Sequence, residues 1–251
     1  MSFVTRNIEN LQVLTHAYLP MCQKYGWRRV NPAGLKRIAV FPKTGILFNR
    51  VKKNANTTTL GILTELETGR TPHHKTIKKT TPILGCENQA RAHRNLEKYS
   101  IITVKRNPYT RVLSAFLEKF RHERFRHRHG QFDLTPEGFE SFLRWLDEGG
   151  LTKDPHWDLQ IKLMALPPTL YDTVIRFEHF ADDLRHLLQE RTNQPLPSAL
   201  HATYASDKDK ATRAASQLNE FYTTEAVQIV RRIYRVDFDQ LEYDDTSFPS
   251  S

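Results

Sequence analysis

Residues 46–66 read ILFNRVKKNANTTTLGILTEL, and the change of pattern within them sets the architecture. The apolar, partly β-branched run from Ile46 to Val51 predicts a strand. Polar residues follow from Lys52 to Asn56. Leu60, Leu63 and Leu66 then fall at helical spacing, and Gly69 suits the helix end. A second stretch repeats the change. Ile101-Ile102-Thr103-Val104 predicts a buried strand, and Pro108 suits a first helical position. Val112, Leu113, Phe116 and Phe120 make one apolar helix face.

Working outward, Ile8 to Tyr25 reads as an amphipathic helix with Leu11, Leu14 and Tyr18 on one side. Asn31-Pro32-Ala33-Gly34 signals a turn, and Ile38 to Phe41 is a short apolar run ahead of Pro42-Lys43-Thr44-Gly45. Thr135 is placed to cap a helix running through Trp145. Asp172 to Phe177 predicts a third strand, and Phe180, Leu184, Leu187 and Leu188 mark the helix after it. Glu225 to Val236 predicts a last helix with Val227, Val230 and Ile233 on one face. Strands alternating with helices imply βαβ units and an α/β fold with a central, mainly parallel sheet. The 251 residues suffice for one such domain. Residues 1–36 form an N-terminal helical extension to it, and residues 244–251 a loose tail.

Apolar residues make up 39% of the chain, the net charge is +9, and the pI is near 9.6. That excess favours polyanions: nucleotide phosphates, acidic glycans, anionic lipid or nucleic acid. No recognised nucleic-acid motif accompanies it. No run of about eighteen apolar residues occurs, so no membrane-spanning helix is expected, while peripheral contact with a membrane stays open. Residues 1–10 lack the apolar core of a signal peptide. Cys22 and Cys86 are too few for a disulfide framework and match no metal motif. Two reduced thiols and a cytoplasmic location are the expectation.

Both strand-to-helix junctions suit phosphates, because a helix start offers unpaired N–H groups and a positive dipole end. At the first, Lys53 precedes a tight turn of Asn54, Ala55 and Asn56, and Thr57 and Thr58 supply hydroxyls. The glycines and Gly-Lys-Ser/Thr order of a Walker A loop are missing. At the second, Arg106 ends the strand, and Arg111 and Ser114 lie three apart on the helix. An arginine fork matches phosphate oxygens as lysine does not. The ordinary alternatives are plain helix caps and, for Arg111, a surface charge.

Arg106-Asn107-Pro108-Tyr109-Thr110-Arg111-Val112-Leu113-Ser114 resembles the 3′-phosphate segment of sulfotransferases that use 3′-phosphoadenosine-5′-phosphosulfate (PAPS). Lys53 to Thr58 resembles their 5′-phosphosulfate loop. The carbohydrate sulfotransferase branch, with its bacterial members, is the most similar. Three later segments add to the likeness. They are Asp154-Pro155-His156-Trp157-Asp158-Leu159-Gln160, then Tyr171 to Leu184, then Tyr234 to Tyr243, so the resemblance spans residues 46–243. It departs where Lys52 replaces a common proline and Asn107 a common aspartate. Pro42-Lys43-Thr44-Gly45 is a rival register for the loop, with Lys43 as its lysine.

The resemblance implies a P-loop-like three-layer fold and metal-free, in-line transfer of a sulfuryl group from PAPS to a hydroxyl. The acceptor is a carbohydrate or glycolipid, and the product nucleotide is 3′-phosphoadenosine-5′-phosphate. Lys53 to Thr58 would hold the phosphosulfate, with Lys53 neutralising the leaving oxygen. Arg106 and Ser114 would hold the 3′-phosphate, with Arg111 in support. His73 and His74 are the first candidates for the general base, with His156, Glu65 and Glu67 as rivals. Lys119 to His129, with five Lys/Arg and three histidines, suits an anionic acceptor or a solvated helix end. Two other functions compete: a kinase-like nucleotide-binding protein, and a non-enzymatic polyanion binder.

Overall fold

The computed structural model describes residues 3–73, 76–86, 88–192, 195, 197 and 217–246. The chain divides into two compact units, Met1–Lys105 with Lys162–Tyr204, and Arg106–Ile161 with Ala205–Ser251.

The first unit holds the sheet. Its strands are β1 (Ile38–Phe41), β2 (Ile46–Asn49), β3 (Ser100–Lys105) and β4 (Thr173–Arg176), in that spatial order. β2, β3 and β4 run parallel, with Ile46 opposite Ser100 and Ile102 opposite Thr173. β1 runs antiparallel to β2, with Phe41 opposite Ile46. Every residue of β1 and β2 is buried. Successive side chains of a strand point to opposite faces, so both faces of the sheet are covered here. The run Ile38–Phe41, read only as apolar, is thus a strand, and the Pro42–Gly45 segment is its hairpin turn, closed by Gly45 N–H to Pro42 O.

Helices flank this sheet. They include α1 (Phe3–Tyr25), the single turns α2 (Pro32–Leu35) and α4 (Ile77–Thr80), α3 (Asn56–Thr68) and α5 (Gln89–Lys98). Leu60, Leu63 and Leu66 of α3 join Phe48, Ile102, Val104 and Ile175 in one cluster. Gly69 caps α3 in the left-handed conformation, as its sequence position implies. The expected turn at Asn31–Gly34 is instead the start of α2. The Asn31 side chain caps it at Ala33 N–H and reaches the carbonyls of Lys162 and Met164. Gly34 must lack a side chain, since a Cβ there would lie 2.5 Å from Ala165 Cα and the Met164 carbonyl carbon.

The second unit is helical. It contains α6 (Pro108–Lys119), α7 (Glu123–His129), α8 (Pro136–Trp145), the first residues of α9 (Gln160–Leu163), α11 (Thr224–Ile233) and α12 (Arg235–Gln240). In the first unit, α10 (Phe180–Arg191) follows β4. An aromatic core of Tyr109, Phe116, Phe120, Phe139, Phe142, Trp157, Tyr234 and Phe238 joins the second unit's helices. Thr135 caps α8 through Gly138 N–H. The helix expected over Glu225–Val236 breaks at Tyr234, which leaves helical backbone, and α12 starts after it. Residues 244–246, placed in the tail by sequence, are held in part: Tyr109 OH donates to Asp245 O and Arg231 to Thr246 O. Residues 247–251 lie outside the described residues.

Candidate functional site

In the first unit the candidate loop joins β2 to α3. Lys53 and Ala55 both adopt left-handed backbone, with φ of 70° and 47°. Each such non-glycine residue costs roughly 1–2 kcal/mol. Left-handed residues turn backbone N–H groups toward one concavity, the geometry of an anion nest. Asn54, fully buried between them, anchors the loop by donating to Val104 O at the end of β3, 2.7 Å away. Ala55 is the N-cap of α3, so no side chain caps the helix start, and its first turn carries no acid. The N–H groups of that turn therefore keep their attraction for an anion. Asn56 is buried, and its Oδ1 has no hydrogen-bond partner. Lys53 and Thr57 are half-buried and Thr58 exposed. The next hydroxyl, of Thr59, turns back to Ala55 O.

The rival register has another use. The N–H groups of Lys43 and Thr44 both donate to Glu67 Oε1, at 2.7 and 3.2 Å. A carboxylate already fills that turn, so it offers no anion site. Burial pushes the Glu67 carboxyl up, and the two N–H bonds and Lys43 pull against that rise. Glu65 accepts from Thr71 Oγ1. Both glutamates sit at the far end of α3, about 15 Å from the loop at 1.5 Å per residue, which removes them as groups acting there. His73 is exposed, and its carbonyl accepts from Thr76 and Ile77. His74 lies outside the described residues.

In the second unit the candidate segment opens α6. Asn107 caps the helix by accepting from Tyr109 N–H, so it serves where an aspartate is common. Arg106 is 8% exposed. Its Nε donates to Thr110 Oγ1 at 3.0 Å, which fixes the plane of the guanidinium. Ser114 is half-buried on the same helix. Arg111 is 1% exposed, which excludes the surface-charge alternative. Its guanidinium donates to Asp158 O at 2.8 Å and reaches Pro155 O at 3.5 Å. Burial pulls its pKa down, against the fields of Tyr234, Asp237 and Asp158. The guanidinium thus meets carbonyls of the chain itself.

The Asp154–Gln160 segment is held at several points within this unit. Tyr234 OH donates to Trp157 O at 2.5 Å, and Trp157 Nε1 to Gly150 O. Asp237 accepts from the N–H groups of Gln160 and Ile161. Sequence reading found these two segments by resemblance alone and assigned Gln160, Tyr234 and Asp237 no part.

Beside Trp157 stands a cluster of titratable side chains. Asp154 Oδ1 accepts from His156 N–H at 2.9 Å and meets His156 Nδ1 at 2.5 Å. A carboxylate only accepts, so Nδ1 carries the proton and Nε2 the lone pair of the neutral ring. Burial raises the Asp154 carboxyl, but the bonds from His156 outweigh it and hold it below the usual range. Phe125 packs edge-on against His156, with ring centroids 5.8 Å apart. His129 packs edge-on to Trp157 at 4.9 Å, and its Nε2 lies 3.9 Å from Asp154 Oδ2 without a hydrogen bond.

The basic segment 119–129 divides. Lys119 is buried, pairs with Glu118 and lies over the Phe125 ring, while Arg126 donates to Phe120 O. Arg121, Arg124 and Arg128 are exposed.

Among the described residues no group of three or more His, Cys, Asp or Glu is placed to hold a metal ion. No helix among them is long and apolar enough to cross a membrane. Cys22 and Cys86 are free thiols.

A model described as the sulfotransferase family matches residues 36–244. Human carbohydrate sulfotransferase 10 is 27% identical over 187 residues, which cover 62% of this chain and 52% of that protein. The same protein from Pongo abelii is 27% identical over 188 residues, with the same coverage. The chain spans about half the length of these curated relatives. No solved structure gives a significant match.

Proposed function

This chain belongs to the sulfotransferase family, and we propose that it moves a sulfuryl group from PAPS to a hydroxyl of a carbohydrate or glycolipid. The observation that carries the reading is the β2–α3 loop. It combines two left-handed residues, an uncapped helix start without acids, and Lys53. These features suit a phosphosulfate without glycines or a metal. The carbohydrate acceptor rests on the two relatives named above.

PAPS supplies an activated sulfuryl group whose leaving oxygen belongs to a phosphate. Transfer of this kind is mostly positioning and charge stabilisation. The acceptor oxygen bonds to sulfur as the bond from sulfur to the phosphate oxygen breaks. Lys53, with the N–H groups of Ala55 to Thr58, balances the charge left on the phosphate. Arg106 and Ser114 take the 3′-phosphate. Arg111 acts at one remove by fixing the Pro155–Asp158 backbone.

The acceptor's proton must go to a base. Of the histidines weighed, His156 has a ring oriented by a carboxylate, with its basic nitrogen defined as Nε2. His156 therefore receives the proton in this reading, and Asp154 stabilises the imidazolium.

The test is a calorimetric titration with 3′-phosphoadenosine-5′-phosphate on the wild type and on Arg106→Ala. Saturable binding that the substitution weakens at least tenfold, about 1.4 kcal/mol, is expected. A folded wild type that does not bind this nucleotide overturns the reading.

A further inference from the structure

Gln160 is fully buried, and both ends of its side-chain amide meet one residue. Its Oε1 accepts from Arg106 N–H at 3.0 Å, and its Nε2 donates to Arg106 O at 2.8 Å. Gln160 N–H in turn donates to Asp237 Oδ2 at 2.8 Å, and Ile161 N–H to Oδ1 at 3.2 Å. Asp237 is itself fully buried. All of these residues belong to the second unit.

Arg106 lies one residue beyond β3 and two before α6, and it is buried. Buried backbone groups need partners. Gln160 satisfies the N–H and the carbonyl together, because its amide carries an acceptor and a donor side by side. The Arg106 side chain is then fixed twice, at its root by Gln160 and at Nε by Thr110. An arginine fork discriminates by direction as well as by charge.

We propose that Gln160, held by Asp237, is the positioning residue that aims Arg106 and thereby sets preference for nucleotides bearing a 3′-phosphate. The proposal rests on the reading of Arg106 as the 3′-phosphate ligand. Neither Gln160 nor Asp237 touches the nucleotide in this account. Their effect is confined to one end of it.

The experiment compares dissociation constants of 3′-phosphoadenosine-5′-phosphate and 5′-AMP, by calorimetry and displacement, for wild type, Gln160→Ala and Asp237→Asn. A general loss of structure weakens both ligands alike, whereas misdirection of Arg106 lowers only their ratio. Gln160→Ala is expected to lower affinity for the 3′-phosphorylated nucleotide at least tenfold and to leave 5′-AMP within twofold. Asp237→Asn keeps one acceptor oxygen and is expected to lower the ratio about threefold; it decides the matter if Gln160→Ala does not fold. An unchanged ratio in the folded variants overturns the proposal. A wild type that does not prefer the 3′-phosphorylated nucleotide overturns the assignment of Arg106 instead, so the two failures are distinct.

Discussion

Arg111→Met should cost the second unit about 3–5 kcal/mol, the range for removing one partner of a buried charged network. The hydrogen bond to Asp158 O at 2.8 Å accounts for about 1.5–3 kcal/mol, as a bond from a charged donor. The contact with Pro155 O, at 3.5 Å, adds little. The rest comes from Asp237, whose buried carboxylate loses the guanidinium that acts on it. Burial already raises the Asp237 pKa, against Arg111 and the N–H groups of Gln160 and Ile161. Without Arg111 it rises further. A carboxyl whose folded pKa lies above its unfolded value stabilises the fold below the unfolded value and loses that contribution as pH rises through the folded one. The deficit of the variant should therefore be largest near pH 8 and shrink toward pH 5. Urea unfolding followed by tryptophan fluorescence measures it. Trp157, fully buried between the two carbonyls that Arg111 holds, reports locally. A variant within 1 kcal/mol of wild type at every pH would mean that Arg111 is no part of the frame. A deficit indifferent to pH would mean that Asp237 does not feel its charge.

His129 gives a second dependence on pH. Burial lowers its pKa most, Arg128 adds to that, and Asp154 opposes it. The unfolded chain thus binds the proton more readily, and stability should fall as pH drops below about 6.5. His129→Phe should flatten the curve of unfolding free energy between pH 7.5 and 5; an unaltered slope would place the titration elsewhere. His156→Gln should slow release of 3′-phosphoadenosine-5′-phosphate from PAPS, with a pooled set of simple glycosides as acceptors, by at least about a hundredfold. Its affinity for that nucleotide should stay within twofold, and equal turnover in the variant would remove His156 from the chemistry.

What the sequence revealed and what it hid differ by the range of the forces involved. The β2–α3 and β3–α6 junctions were legible because strand alternation, helical spacing and caps act over a few residues. Asn107 and Pro108 start α6, and Gly69 ends α3, for reasons visible within one turn. Pro42-Lys43-Thr44-Gly45 looks locally like an anion loop, and only Glu67, more than 20 residues on, fills its N–H groups. The apolar period from Glu225 to Val236 is unbroken on paper. In the fold it stops at Tyr234, whose hydroxyl reaches Trp157 O, 77 residues away. Arg111 illustrates the same limit most sharply. Its spacing from Ser114 suggested a shared helix face and hence a shared ligand. Its depth was set by carbonyls 44 and 47 residues later, which no periodicity could announce. Two of the three later segments, Asp154–Gln160 and Tyr234–Tyr243, converge on the backbone around Arg106 and His156. Segments that carry no chemistry of their own can thus be needed to aim the residues that do. Such a role leaves residue types in the sequence but no local pattern, and it becomes readable only once the partners are in place.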